Sequence, residues 1–241
     1  MAKTSIDEHE LGKFNKTVDQ WWDLNGEFKI LHRINPIRIN YIIEKIKSHF
    51  KITDESYKNL RLLDVGCGGG LISVPLCEYG FKVTGLDAGE NNIKAARFYA
   101  QKNRLNINYV HSSVEDYIKG GEKYDVIICL EVVEHISNVQ AFLINLHDML
   151  NEGGILIIST INRTLKSYMS AIIAAEYLLG WVPRNTHNFS KFLKPSEIVN
   201  FLYSTSLTLK EIKGLKLDIV DNKWKLSDNI DVNYFIFFVK T

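Results

Sequence analysis

The segment LRLLDVGCGGGLISVPLCEYG, residues 60–80, constrains the fold more than any other stretch of this 241-residue chain. A short apolar run ends in a glycine-rich loop, and a helix-like stretch follows and stops at Gly80. Gly66, Gly68 and Gly70 stand at G-x-G-x-G spacing, where the missing side chains let the backbone turn sharply and a ligand approach closely. Position 71 is Leu rather than Gly, so the G-x-G-x-x-G fingerprint of dinucleotide sites is incomplete. The next apolar run, KVTGLD, ends at Asp87. An acidic residue roughly 20 positions beyond the first glycine is placed to take both hydroxyls of a ribose.

Strand-like and helix-like stretches keep alternating after this unit. AGENNIKAARFYAQKN reads as a helix, INYVHSS, YDVIICL and ILIIST as strands, and VQAFLINLHDML as a helix. That alternation predicts an α/β, Rossmann-like fold with a doubly wound parallel sheet. LTLKEIKGL and VNYFIFFVKT leave no room for a helix between them, which predicts an antiparallel C-terminal edge strand. Before the core, residues 7–20 read as a polar helix. In IRINYIIEKIKSHF, Ile39, Ile42, Ile43, Ile46 and Phe50 fall at helical spacing, while Gly26 and Pro36 argue against one continuous helix across residues 21–36. We divide a single domain, 1–241, into an N-terminal helical cap (1–55), an α/β core (56–162), a helical insertion after the fifth strand (163–195) and a C-terminal helix with strands (196–241).

A net charge of +1 offers no field to gather nucleic acid. The three cysteines, Cys67, Cys77 and Cys129, form neither a disulfide framework nor a zinc pattern, as expected of a reducing cytoplasm. The acidic start MAKTSIDEHELGKF does not read as an export signal, and no apolar run is long enough to span a bilayer.

A ribose-binding acid without a pyrophosphate loop points to S-adenosylmethionine, whose sulfonium methyl needs mainly to be held in line with a nucleophile. Leu130, closing the fourth strand, is expected against the adenosine. Ser113 stands where an acidic residue often meets the adenine amine, so the adenine contacts stay open, with the backbone near Val114 as one candidate. In ICLEVVEHI, Glu131, Glu134 and His135 have i, i+3, i+4 spacing and share one face if the backbone coils. That set can hold Mg²⁺ with waters; alternatively His135 is a general base. His187 is a second candidate base.

WWDLNGEFKILHRINPIR, LDVGCGGG, VTGLDAG, EVVEH, STINRTLKSY and KFLKP together resemble the ubiquinone-biosynthesis O-methyltransferases, across most of residues 14–241. The resemblance implies a seven-stranded Class I methyltransferase sheet, S-adenosylmethionine, and methyl transfer to a hydroxyl of a polyprenylated catechol or quinol at two pathway steps. It implies cofactor contacts at Arg38, Gly66, Asp87 and Leu130, to which the loop adds Gly68, and it favours the Mg²⁺ reading of Glu131, Glu134 and His135. Arg38 would then pair with the carboxylate of the cofactor's methionine end. Trp21, Trp22 and Phe28 would form a lid, with His32 and Arg33 lining the ring pocket or its rim. The insertion places Leu165, Tyr168, Met169, Ile172, Ile173 and Leu179 on one helical face, flanked by Lys166, Arg184, Lys191 and Lys194. That pattern suits an anionic membrane surface on the cytoplasmic side, and other enzymes of the ubiquinone pathway are further candidate partners. The loop and Asp87 alone do not separate this activity from methylation of another small phenol or a carboxylate, or from a non-catalytic module that keeps the cofactor pocket.

Overall fold

The computed structural model describes residues 21–53, 57–168, 188–218, 221 and 223–241. The polar helix expected over residues 7–20, most of the insertion helix (including Met169, Ile172, Ile173, Leu179 and Arg184) and His187 lie outside these residues.

Helix α1 (Lys29–Phe50) opens the described chain. It runs straight through Pro36, where the sequence predicted a boundary. The proline removes one backbone hydrogen bond, which costs about 3 kcal/mol in a helix interior. A continuous buried stripe, Ile34, Arg38, Tyr41, Ile42 and Ile46, lies on both sides of it and offsets that loss. The core follows as β1 (Arg61–Val65), α2 (Ser73–Glu78), β2 (Lys82–Asp87), α3 (Glu90–Lys102), β3 (Asn108–His111), the single turn α4 (Val114–Tyr117), β4 (Tyr124–Leu130), α5 (Val139–Asp148) and β5 (Leu150–Ile161). The turn α6 (Leu165–Ser167), then α7 (Pro195–Leu202), β6 (Leu207–Asp218), β7 (Lys223–Ser227) and β8 (Asn233–Lys240) complete it.

One eight-stranded sheet has the order β3-β2-β1-β4-β5-β8-β6-β7. Strands β3, β2, β1, β4 and β5 are parallel, and β8 is antiparallel to both β5 and β6. Two expectations need correction. The sheet has eight strands, not seven, because KWKLS forms β7, antiparallel to β6 at the outer edge. The C-terminal strand is interior rather than an edge. Tyr234 to Val239 are all buried, as a strand covered on both faces requires.

Each face of the sheet carries its own core. On one, α1 lays Ile34, Tyr41, Ile42 and Ile46 against Leu62, Val126, Ile155, Phe235 and Phe237. On the other, α5 and α7 bring Phe142, Leu146, Ile198 and Leu202 to Leu63, Ile127, Leu156, Ile236 and Phe238. The edge strand β7 carries Lys223 and Lys225, and Lys225 pairs with Asp218 and Asp221, which blunts the edge against further strand addition. Among the described residues no helix is long and apolar enough to cross a membrane.

Candidate active site

The carboxyl ends of β1, β2, β4 and β5 converge on one rim, the place where doubly wound sheets bind ligands. After β1 the chain must turn at once, because the amides of Gly66 and Cys67 both donate to the Leu86 carbonyl on β2 (2.7 and 3.1 Å). Gly66 takes φ +72° to do so, and a Cβ there would lie 2.3 Å from Val132. Glycine is therefore required at Gly66 by both torsion and space.

Asp87, the last residue of β2, clasps this loop. Its carboxylate accepts from the amides of Gly68 (2.9 Å) and Gly89 (2.7 Å) and from Asn92 Nδ2 (3.0 Å). Burial pushes the Asp87 carboxyl up, and the hydrogen bonds from Asn92, Gly89 and Gly68 oppose it. The sequence reading missed Asp64, on the neighbouring strand β1, where it pairs with Gly85 of β2. It is buried, accepts from Ser73 Oγ at 2.6 Å, and burial pushes it up to about 7 against that hydrogen bond. An acid inside an otherwise apolar strand was the available signal.

Leu130 ends β4, half-buried at the rim. Glu131 follows at φ +55°, an uncommon torsion for a residue with a side chain and one that concentrates at functional sites. Its amide donates to the Ser159 carbonyl (2.9 Å), and its carboxylate accepts from Arg38 Nη2 (2.7 Å) and Ser159 Oγ (2.8 Å). Glu134 is buried and accepts from Thr160 Oγ1 (2.8 Å). Burial first, and the nearby Glu131 carboxylate second, push its carboxyl up.

The expected coil is absent here. The backbone goes left-handed at Glu131 and then forms one 3-10 turn, Val133–His135, so the i, i+3, i+4 alignment of an α-helix is not made. Among the described residues no group of three or more His, Cys, Asp and Glu side chains is arranged to hold a metal ion. Glu131 pairs with Arg38, Glu134 accepts from Thr160 and shares a side-chain hydrogen bond with Glu131, and His135 ends the 3-10 turn half-buried on the rim.

Arg38 reaches this rim from the buried face of α1 and pairs with a carboxylate, that of Glu131. Its Nε has no partner. Ser113 caps α4, its hydroxyl accepting from the Asp116 amide (3.2 Å), which explains a serine at that place.

The aromatic segment lies on the glycine loop. The Trp21 indole stacks on Phe28, with centroids 3.7 Å apart and planes 4° off parallel. A Cβ on Gly69 would lie 2.3 Å from Trp21 Cγ, and one on Gly68 would lie 2.5 Å from Cη2. Trp22 stacks on Tyr99 (3.4 Å) and donates from Nε1 to the Gly69 carbonyl (3.0 Å). His32 Nε2 is 2.9 Å from the Trp21 carbonyl, so His32 braces the segment, and Arg33 is exposed. Trp21 Nε1 and Asn92 Oδ1 are buried without partners beside this loop.

A methyltransferase-domain family model matches residues 31–205. A solved structure of magnesium protoporphyrin IX methyltransferase (ChlM) from Synechocystis PCC 6803 with bound SAH is similar at TM-score 0.67 and 20% identity, covering 95% of this chain and 97% of that one. The N-methyltransferase NodS from Bradyrhizobium japonicum WM9, in complex with S-adenosyl-l-homocysteine, is similar at TM-score 0.64 and 15% identity, covering 97% and 99%. These two likenesses support the fold. In sequence, the ubiquinone biosynthesis O-methyltransferase of Rickettsia typhi (strain ATCC VR-144 / Wilmington) is 55% identical over 237 residues, 98% of this chain and 94% of that protein. The protein of the same name from Rickettsia canadensis (strain McKiel) is 55% identical over 234 residues, 97% of both chains. Identity of that level over nearly the whole length places the chain in the family of ubiquinone biosynthesis O-methyltransferases, with a methyltransferase-domain fold.

Proposed function

We propose that the chain transfers the methyl group of S-adenosylmethionine to a phenolic hydroxyl of polyprenylated catechol and quinol intermediates, at both O-methylation steps of ubiquinone biosynthesis. The observation that carries this reading is the Asp87 clasp. A buried carboxylate at the end of β2 is hydrogen-bonded to the Gly68 amide, beside a loop that only glycine can form at Gly66.

Bound S-adenosylmethionine supplies a methyl group made electrophilic by the sulfonium charge. The chain's own residues bind and orient. Asp87 takes the ribose hydroxyls, Gly66 and Gly68 let the backbone approach, and Leu130 lies along the adenosine. Arg38, with its Nε unpaired, takes the carboxylate of the methionine end. The cover of Trp21, Trp22 and Phe28 excludes water from the site. A low dielectric favours attack of a phenolate on a cation, because the step neutralises two opposite charges. A phenol resembles tyrosine, with a pKa near 10, so it needs a proton acceptor. His135 is assigned that role: an imidazole nitrogen receives the phenolic proton. No step is assigned to Mg²⁺, because among the described residues no group of three or more His, Cys, Asp and Glu side chains is arranged to hold a metal ion.

The prenyl tail places this chemistry at a cytoplasmic membrane surface. Leu165, 74% exposed where the insertion begins, supports that siting. The test is incubation with methyl-labelled S-adenosylmethionine and a polyprenyl catechol. Label in the lipid product is expected. Tight binding of S-adenosylhomocysteine with no label transferred to any catechol would leave only a non-catalytic binding module.

A further inference from the structure

Asp87 has little acceptor capacity left for a ribose. A carboxylate offers about four lone-pair sites, shared between its two oxygens. Oδ1 already accepts from the Gly89 amide (2.7 Å) and from Asn92 Nδ2 (3.0 Å), and Oδ2 accepts from the Gly68 amide (2.9 Å). That leaves a site on Oδ2, whereas the ribose of an adenosyl group brings two hydroxyl donors. To take both, Asp87 must release a bond that holds the glycine loop, or a second acceptor must stand beside it.

Such an acceptor is attached to the clasp. Asn92 lies in the first turn of α3 and is 5% exposed. Its Nδ2 donates to Asp87, and its Oδ1 is buried and unpaired. Asn35, Asn162 and Asn233 also carry buried, unpaired side-chain oxygens, so an orphaned oxygen alone marks no site. Asn92 differs because the other atom of its carboxamide is held by the acid assigned to the ribose. The two atoms share one carbon, which keeps Oδ1 close to the carboxylate. Ribose hydroxyls stand on adjacent carbons and suit two neighbouring acceptors. Trp21 lies on Gly68 and Gly69 in the free chain, so the ribose reaches this pair when the cover lifts.

We propose that Asn92 is a second ribose-binding residue of the cofactor site. One ribose hydroxyl donates to Asp87 Oδ2, and its neighbour donates to Asn92 Oδ1. The bonds from Gly68 and Gly89 to Asp87 are then kept when the cofactor is bound. An aspartate at position 92 would set a like charge against Asp87, and an aliphatic side chain would supply neither the donor to Asp87 nor the acceptor for the ribose. A nucleoside lacking the hydroxyl leaves a buried acceptor unpaired, and sites built to bind a hydroxyl reject analogues without it. The inference deepens the assignment of the S-adenosylmethionine ribose to Asp87 and rests on it.

The test titrates wild type, Asn92→Ala and Asn92→Ser by calorimetry with three ligands: S-adenosylhomocysteine and its 2′-deoxy and 3′-deoxy analogues. Circular dichroism at the titration temperature checks that each protein is folded, and Asn92→Ser keeps a small polar group in the buried place should the alanine variant unfold. The readout is the ratio of each deoxy analogue's Kd to that of S-adenosylhomocysteine. In wild type both ratios should be at least about fivefold. In the variants one ratio should collapse to within about twofold while the other persists, and the one that collapses names the hydroxyl held by Asn92. Persistence of both ratios in the variants overturns the proposal. Collapse of both together also overturns it, because Asn92 would then act only by orienting Asp87. Wild type that binds all three ligands alike removes the ribose from Asp87, and wild type that binds none of them removes the cofactor reading itself; the role of Asn92 falls with either.

Discussion

The contact between Trp21 and the glycine loop can be tested by adding a single methyl group. Gly69 does not take a positive φ, so Ala is permitted there by torsion and only space opposes it. The added Cβ would lie 2.3 Å from Trp21 Cγ and 2.6 Å from Trp21 Cβ, well inside the 3.5–4.0 Å at which carbon atoms rest. Relieving that overlap forces the indole off the loop and off Phe28, and overpacking of this kind costs about 1–3 kcal/mol. In a Trp21→Gly background both overlapping carbons, Cβ and Cγ, are gone, and Gly69→Ala then gains about 0.4–1 kcal/mol from the smaller entropy of the unfolded chain. The coupling between the two positions should therefore be roughly 1–4 kcal/mol, the sum of these two estimates. Trp21→Gly alone loses a large buried side chain and should cost about 3–5 kcal/mol for that loss. Urea denaturation of the four proteins, with equal m-values, measures the cycle. Calorimetry with S-adenosylhomocysteine on the same four reports whether lifting the indole weakens the cofactor, as a cover requires. An equal cost of Gly69→Ala in both backgrounds would refute the contact, and unchanged cofactor affinity in Gly69→Ala would refute the cover.

Three further outcomes are expected. Arg38→Met should raise the S-adenosylhomocysteine Kd at least about tenfold and leave the Glu131 carboxylate without its cation; Arg38→Met/Glu131→Gln should recover the stability measured in urea but not the affinity. Asp64 is pushed up to about 7 in the folded chain from an ordinary value near 4, so the native state holds its proton more tightly than the unfolded state does. Stability should then fall as pH rises from about 4 to about 7, by up to about 1.4 kcal/mol per pH unit, and Asp64→Asn should remove that fall; parallel urea curves for the two proteins across this window would exclude it. Co-sedimentation with anionic liposomes should be weak and should decline with salt, and a variant with residues 166–184 made polar should lose it; equal sedimentation of that variant would count against the membrane reading.

Legibility in the sequence followed the physics of each signal. The glycine loop and Asp87 were readable because sharp torsions and a fixed strand–helix–strand length leave few residue choices. The structure shows why: Gly66 has no room for a Cβ, and Asp87 is tied to Gly68. The interior place of β8 was also written in the chain, as the unbroken apolar run YFIFFV, but proximity to the C-terminus suggested an edge. Strand β7 is only five residues, KWKLS, too short for its alternation of polar residues with Trp224 and Leu226, which pack against the α1 core, to stand out. Pro36 misled because a local penalty of about 3 kcal/mol was weighed without the tertiary burial of α1.

The rim after β4 was the hardest to read, for a reason that bears on the chemistry. The spacing of Glu131, Glu134 and His135 fits three ligands on a helix, and nothing local in EVVEH announces a left-handed residue. The torsion at Glu131 is held by distant partners. Ser159 on β5 takes its amide and its carboxylate, and Arg38, 93 residues earlier, supplies the countercharge. Three elements thus fix a single side chain. In the free chain the guanidinium assigned to the cofactor's carboxylate is already occupied on one edge by a carboxylate of the protein, while its Nε stays open. Arg38 therefore has two faces, one that locks the rim and one that remains for a ligand. Occupation of the second need not break the first, so the rim can be built before the cofactor arrives, and its ordering is not charged against binding.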